Sequence, residues 1–280
     1  MLLLAAWPCV AQLPDTGVVL WLKADAGVKR DAEARVSEWA DQSGNGNHFA
    51  QAAPGLQPTF VEDVAGGRAA IRFDGIDDAL TVSTSPIPVA GRTVFAVVKW
   101  NAARTYSFAL GCGEGTDGYL RLHGPRDLLT GGRYPLLYQN GILSPKVGYA
   151  AGDGRQIFHK GLHSLLHWNV YAIPETAEAK ERLKHLGKNE LNNVPDNRFI
   201  GEIAEVIVLD GILGAAEREQ VEQYLGGKYL GWPAARAVPV RNQAPGPAMA
   251  APTPVAFTDD RLCFLAHGTT ERPLAPGRYR

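Results

Sequence analysis

The chain has 280 residues, 45% hydrophobic and 20% charged, with a formal net charge of −1. That is room for one large β domain plus a tail in an ordinary soluble protein. No basic field is available to hold a phosphate backbone, so nucleic acid and anionic membrane surfaces are excluded as expected partners. The 31 glycines and 19 prolines suit many short strands joined by tight turns.

Residues 1–11 (M-L-L-L-A-A-W-P-C-V-A) form a short apolar run that ends in a small residue before Gln12. This is the pattern of a secretory signal peptide without its positively charged start, and the plain alternative is a frayed apolar terminus. It predicts export, and hence a secreted or cell-surface location. The run is too short to cross a bilayer, and no other segment is long and apolar enough to be transmembrane.

Residues 17–24 (G-V-V-L-W-L-K-A) read as a buried strand, and 36–40 as a short one carrying Trp39. A dense turn follows, D-Q-S-G-N-G-N-H (41–48), where Asp and Asn side chains can bond their own backbone. Residues 58–61, 69–73 and 79–82 read as further strands, the last two flanking D-G-I-D-D (74–78). T-V-F-A-V-V-K-W (93–100) is the strongest strand signal. Residues 106–110, 119–123 and 134–139 are weaker ones, and Asn140-Gly141 is a hairpin turn signal. In 165–173, Leu166, Trp168, Val170 and Ala172 would share one face. Residues 200–209 (I-G-E-I-A-E-V-I-V-L) are apolar on both faces of a late strand.

One helix is predicted, over 215–229, with Glu217, Glu219 and Glu222 towards its positive N-terminal end. Gly214 caps it without a side-chain acceptor, Gly226-Gly227 weakens its end, and Gly231-Trp232-Pro233 stops it. Eight of the prolines lie beyond Gly231. Residues 233–280 therefore read as a Pro/Ala-rich linker or disordered tail, leaving 12–232 as the folded domain.

The order of these segments resembles a family. G-V-V-L-W-L-K-A-D-A-G-V (17–28), W-A-D-Q-S-G-N-G-N-H (39–48), R-F-D-G-I-D-D-A-L (72–80) and T-V-F-A-V-V-K (93–99) are similar to successive landmarks of bacterial laminin-G-like domains of the concanavalin A-like lectin/glucanase superfamily. G-E-I-A-E-V-I-V-L-D (201–210) with A-E-R-E-Q-V-E-Q-Y-L (216–225) closes the pattern. The resemblance implies an all-β fold, a two-sheet antiparallel jelly-roll sandwich with one C-terminal helix, its first and last strands side by side. It also implies binding on sheet-edge loops, and residues 121–195 are hardest to align.

Function follows less directly. Glycosidase chemistry needs two carboxylates facing one sugar, and an E-x-D-x-E strand that would align them is absent. Glu202 and Glu205 are three apart, so a regular strand sends them to opposite faces as structural groups. Asp41, Ser43 and Asn45 mimic half of an EF-hand calcium loop, or else form an Asx-rich turn. Asp74, Asp77 and Asp78 form a second acidic cluster, which either holds calcium or is a solvated turn.

His159, His163 and His167 recur every four residues, but Gly161 breaks the helix that would make them a zinc site. Trp39, Trp100 and Trp168 read as core residues or as sugar platforms. Cys112 and Cys263 remain after loss of Cys9 and could pair in an oxidising compartment. The leading expectation is a secreted, non-enzymatic recognition module, calcium-assisted, that binds carbohydrate or an extracellular protein. The alternatives are a structural spacer of a larger cell-surface protein and a divergent glycoside hydrolase.

Overall fold

The computed structural model describes residues 13, 17–102, 107–111, 122–123, 137–139, 142–144, 167–174, 182–188 and 198–233. In chain order the elements are β1 (Val18–Lys23), β2 (Val28–Arg30), β3 (Val36–Trp39), β4 (Phe49–Ala50), a 3-10 turn (Pro54–Leu56), β5 (Thr59–Ala65) and β6 (Arg68–Asp74). Then come β7 (Leu80–Val82), β8 (Ile87–Pro88), β9 (Arg92–Trp100), β10 (Phe108–Gly111), β11 (Leu122–His123) and β12 (Leu137–Gln139). The chain continues with β13 (Ile142–Ser144), β14 (Asn169–Pro174), β15 (Arg182–Leu183), β16 (His185–Leu186), β17 (Ile200–Asp210) and the helix α1 (Ala215–Tyr229).

The fold is an all-β antiparallel sandwich with one C-terminal helix. One sheet runs β13-β12-β14-β9-β17-β6-β5, the second β11-β10-β16-β7-β4-β3-β2, and β15 pairs β8 in a small third. β17 organises the first sheet. Its 11 residues pair β9 along one side. On its other side β6 takes the first half and β1 the second, with Val18 opposite Leu209 and Lys23 opposite Glu205. The first and last strands therefore do lie side by side.

Two apolar layers result. Leu20, Leu22, Ile71, Val94, Val98, Ile203 and Val206 of the first sheet meet Trp39, Phe49, Leu80, Leu110 and Leu186 of the second. On the opposite face of the first sheet, Phe95, Val97, Val170, Ala172, Ala204 and Ile207 meet Val221, Leu225 and Tyr229 of the helix. Both faces of β9 and β17 are thus covered, so neither strand shows the apolar/polar alternation of a half-exposed strand. Trp168, Val170 and Ala172 share the helix-side layer, as the spacing predicts; Leu166 lies outside the described residues.

Candidate functional site

Glu202 and Glu205 do not point to opposite faces. The register of β17 against β9 shifts between Ile203 and Glu205, a β-bulge. A bulge adds one residue to a strand and breaks its alternation. Ala204 and Glu205 consequently both face the helix side, the same side as Glu202, and both glutamates are fully buried.

Each is tied into the scaffold. Arg72 Nε and Nη2 donate to Glu202 Oε1 at 2.9 and 2.6 Å, and Lys99 lies 3.6 Å from the other oxygen. Glu205 accepts four hydrogen bonds. Trp21 Nε1 and the Tyr224 hydroxyl reach Oε1 at 2.6 and 3.2 Å, while Lys228 Nζ and the Tyr229 hydroxyl both reach Oε2 at 2.7 Å. These donors come from β1 and α1, so one carboxylate clasps the first strand, the last strand and the helix. Lys228 Nζ also lies 3.1 Å from Asp25, which Arg68 approaches at 3.4 Å. Charge-assisted bonds of this kind are the strong class.

The Asp41 turn is equally occupied. Asp41 Oδ1 accepts from the backbone N–H of Trp21 and of Ser43, both at 2.9 Å. Its Oδ2 accepts from the Ser43 hydroxyl at 2.8 Å and from Asn47 N–H at 3.0 Å. Asn45 Nδ2 donates to the Val18 and Val19 carbonyls, and Asn47 Nδ2 to Val19 as well. Val19 sits where the β1 register shifts. Asp41, Ser43 and Asn45 do come together, and their polar atoms hold the carbonyls that the irregular strand leaves unpaired.

Asp74, Asp77 and Asp78 also converge, with one oxygen of each within 4.8 Å of the others; they are the described residues that could hold a metal ion. Asp74 Oδ1 accepts from the N–H of Ile76 and Asp77, and Asp78 Oδ2 from the N–H of Asp74. Burial lifts Asp78 to about 6, helped by the charges of Asp74 and Asp77 and opposed by the Asp74 N–H and by Arg198.

Trp39 and Trp100 are wholly buried core residues. Trp168 is part-buried and donates to the Val64 carbonyl at 2.8 Å. None of the three is an open sugar platform. Of the three histidines only His167 is described, and Cys9, Cys112 and Cys263 all lie outside the described residues, as does the segment 233–280 after Pro233.

The Glu205 clasp escaped sequence reading. Its donors are spread over 21–229, and the bulge that turns Glu205 towards them leaves no spacing signature.

No family model and no curated protein matches the chain. Solved structures do. The Trypanosoma rangeli sialidase in complex with sialic acid matches at 14% identity and a TM-score of 0.44, over 77% of this chain and 34% of that one. The same sialidase with 2,3-difluorosialic acid, a covalent intermediate, matches at 16% and 0.42, over 77% and 34%. Its complex with the inhibitor DANA matches at 16% and 0.41, over 76% and 34%. These are enzymes. The expectation of a recognition module is corrected by this finding: the solved chains named here are sialidases. The chain spans about a third of the length of the sialidases it matches, and at this identity the likeness concerns fold alone. Among the described residues, no helix is long and apolar enough to cross a membrane.

Proposed function

We propose that this chain is a structural β-sandwich domain, of the laminin-G-like type, within a larger extracytoplasmic carbohydrate-processing protein. The observation that supports it is the employment of its buried carboxylates. A glycosidase needs two carboxylates facing one sugar. Glu202 and Glu205 instead face the helix side of the sheet and are consumed by Arg72, Lys99, Lys228 and three aromatic donors. Glu222 is buried beside Arg218 at 3.2 Å. Glu202 and Glu205 hold separate elements together, and Glu222 pairs within α1.

One observation favours a second reading, a divergent glycoside hydrolase. Asp78 keeps its proton up to about 6 next to two further carboxylates no more than 4.8 Å away. Carboxyl groups whose environments separate their pKa values are how acid and base roles are divided, and about 5 Å is the spacing of a retaining pair.

One assay separates the two. The purified chain is incubated with fluorogenic sialosides, galactosides and glucosides between pH 4 and pH 8, beside Asp78→Asn. The structural reading expects no release above blank. Turnover that Asp78→Asn abolishes would replace it with the hydrolase reading.

A further inference from the structure

We propose that Lys228 and Asp25 are joined by an intramolecular amide, an isopeptide bond, formed by the folded protein itself with Glu205 as its proton shuttle. The arrangement brings an amine, an acceptor carboxyl and a second carboxylate into contact. Lys228 Nζ lies 3.1 Å from Asp25 Oδ2 and 2.7 Å from Glu205 Oε2. The Lys228 side chain is 10% exposed, Asp25 30% and Glu205 0%. Amine and carboxyl in solution stay an ion pair, because water stabilises both charges and competes for the carboxyl carbon. Here the aromatic rings of Tyr229 and Tyr224 stand 4.8 and 5.7 Å from Nζ, and Trp21 closes on Glu205 from β1. Lys228 Nζ and Glu205 are thereby shielded from water while Asp25 sits at the exposed rim, and contact geometry supplies the drive, since orientation alone is worth several orders of magnitude in rate.

The step balances without any added reagent. Glu205 takes one proton from the Lys228 ammonium and passes it to Asp25 Oδ1, leaving a neutral amine beside a neutral carboxylic acid. The freed amine attacks Asp25 Cγ, forming the Nζ–Cγ bond. The charge that develops on Oδ2 faces Arg68 Nη1, 3.4 Å from that oxygen. Glu205 then carries a second proton from the nitrogen to the Oδ1 hydroxyl, which departs as water and breaks the Cγ–Oδ1 bond. Ammonium plus carboxylate becomes amide plus one water, with no oxidation or reduction. Glu205 touches the reacting nitrogen and is the catalytic residue; Arg68 and Tyr229 position the partners.

The bond would close a covalent ring from residue 25 to residue 228, nearly the whole domain. Closing so long a loop removes much of the unfolded chain's freedom.

The test is intact mass spectrometry of the denatured full chain, followed by protease mapping. The wild type is expected to be lighter by one water than its composition, with a branched peptide joining Asp25 to Lys228. Lys228→Arg keeps the cation and Glu205→Gln keeps the shape; each is expected at full mass. A wild type at full mass, with no branched peptide, overturns the proposal. So does a water loss that persists in Lys228→Arg, which would mark a succinimide at an aspartate instead. The wild-type peptide decides the matter even where a variant fails to fold.

Discussion

Glu205, like Asp41, accepts four hydrogen bonds, and it does so with its side chain wholly buried. Replacing it by Ala leaves Trp21 Nε1 and the hydroxyls of Tyr224 and Tyr229 without their acceptor in a buried layer. Removing one partner of a buried charged network costs about 3–5 kcal/mol. Urea unfolding of Glu205→Ala should show that loss, whereas Trp21→Phe, which deletes one donor and keeps a smaller aromatic ring, should cost about 1–2 kcal/mol.

Asp41→Ala should destabilise by about 2–3 kcal/mol with calcium or with chelator alike, because it removes an acceptor from four donors. A loss that appears only when calcium is present would assign the turn to the metal instead.

Glu222 carries a pH signature. Burial raises its carboxyl from an ordinary 4.5 to about 7, against the pull of Arg218 and with the help of Glu219. A carboxyl whose folded pKa is raised favours the native state while it is protonated. Its contribution is intact below about 4.5 and is lost as pH climbs towards 7, to a limit of about 3 kcal/mol. Asp78 acts in the same direction between 3.8 and about 6. Glu222→Gln should therefore flatten the stability profile over this window and unfold later than the wild type at pH 8. An unchanged slope in chemical denaturation would show that the carboxyl is already ionised at low pH.

Among the elements, α1 was the most legible from sequence, and its span of 215–229 coincides with the helix observed. Its start works without a capping side chain on Gly214. Glu217 Oε2 instead accepts from the Gly214 N–H at 3.1 Å, one half of a capping box. The double glycine near its end resolves into two different positions. A Cβ at Gly226 would stand 2.0 Å from the Trp232 ring, while at Gly227 it would meet nothing closer than 3.9 Å. Gly226→Ala should thus destabilise by about 1–3 kcal/mol through overpacking. Gly227→Ala should stabilise by about 0.5–1 kcal/mol, the gain in helix propensity. Thermal unfolding of the pair checks both signs.

The strands were legible where apolar runs were long, as in β1, β9 and β17. They were missed where two or three residues pair only because the sheet is already there, as in β2, β4, β8, β15 and β16. Bulges were invisible for a related reason. The shift at Ile203/Glu205 is a property of how β17 meets β9, and no residue type in E-I-A-E announces it. The parity rule failed there, and with it the assignment of the two glutamates to opposite faces. The acidic clusters, by contrast, were found as clusters because Asx-rich turns are local in sequence.

At the scale of the whole molecule, the first sheet is assembled from distant segments. β1 and β17 pair across nearly the full length of the domain, with Trp21 opposite Ile207. Such non-local pairing is slow to find, because loop closure precedes any reward from contact. Refolding from denaturant should accordingly fall in the millisecond-to-second range, with Glu205 variants unfolding faster. Microsecond refolding would mean that a smaller, local unit carries the stability.

The route of the chain through this sheet also decides how the domain answers a pull on its two ends. β1 enters beside Asp210, where Gly17 O accepts from the Asp210 N–H, and leaves at Lys23 beside Glu205. The helix delivers Lys228 to that second end, next to Asp25. Tension applied between residue 17 and residue 229 therefore runs along β1, over about 20 Å of strand. In a chain without the Asp25–Lys228 bond it loads the β1–β17 hydrogen bonds side by side in shear instead of peeling them one at a time, whereas the bond would carry the load from β1 straight to the end of the helix.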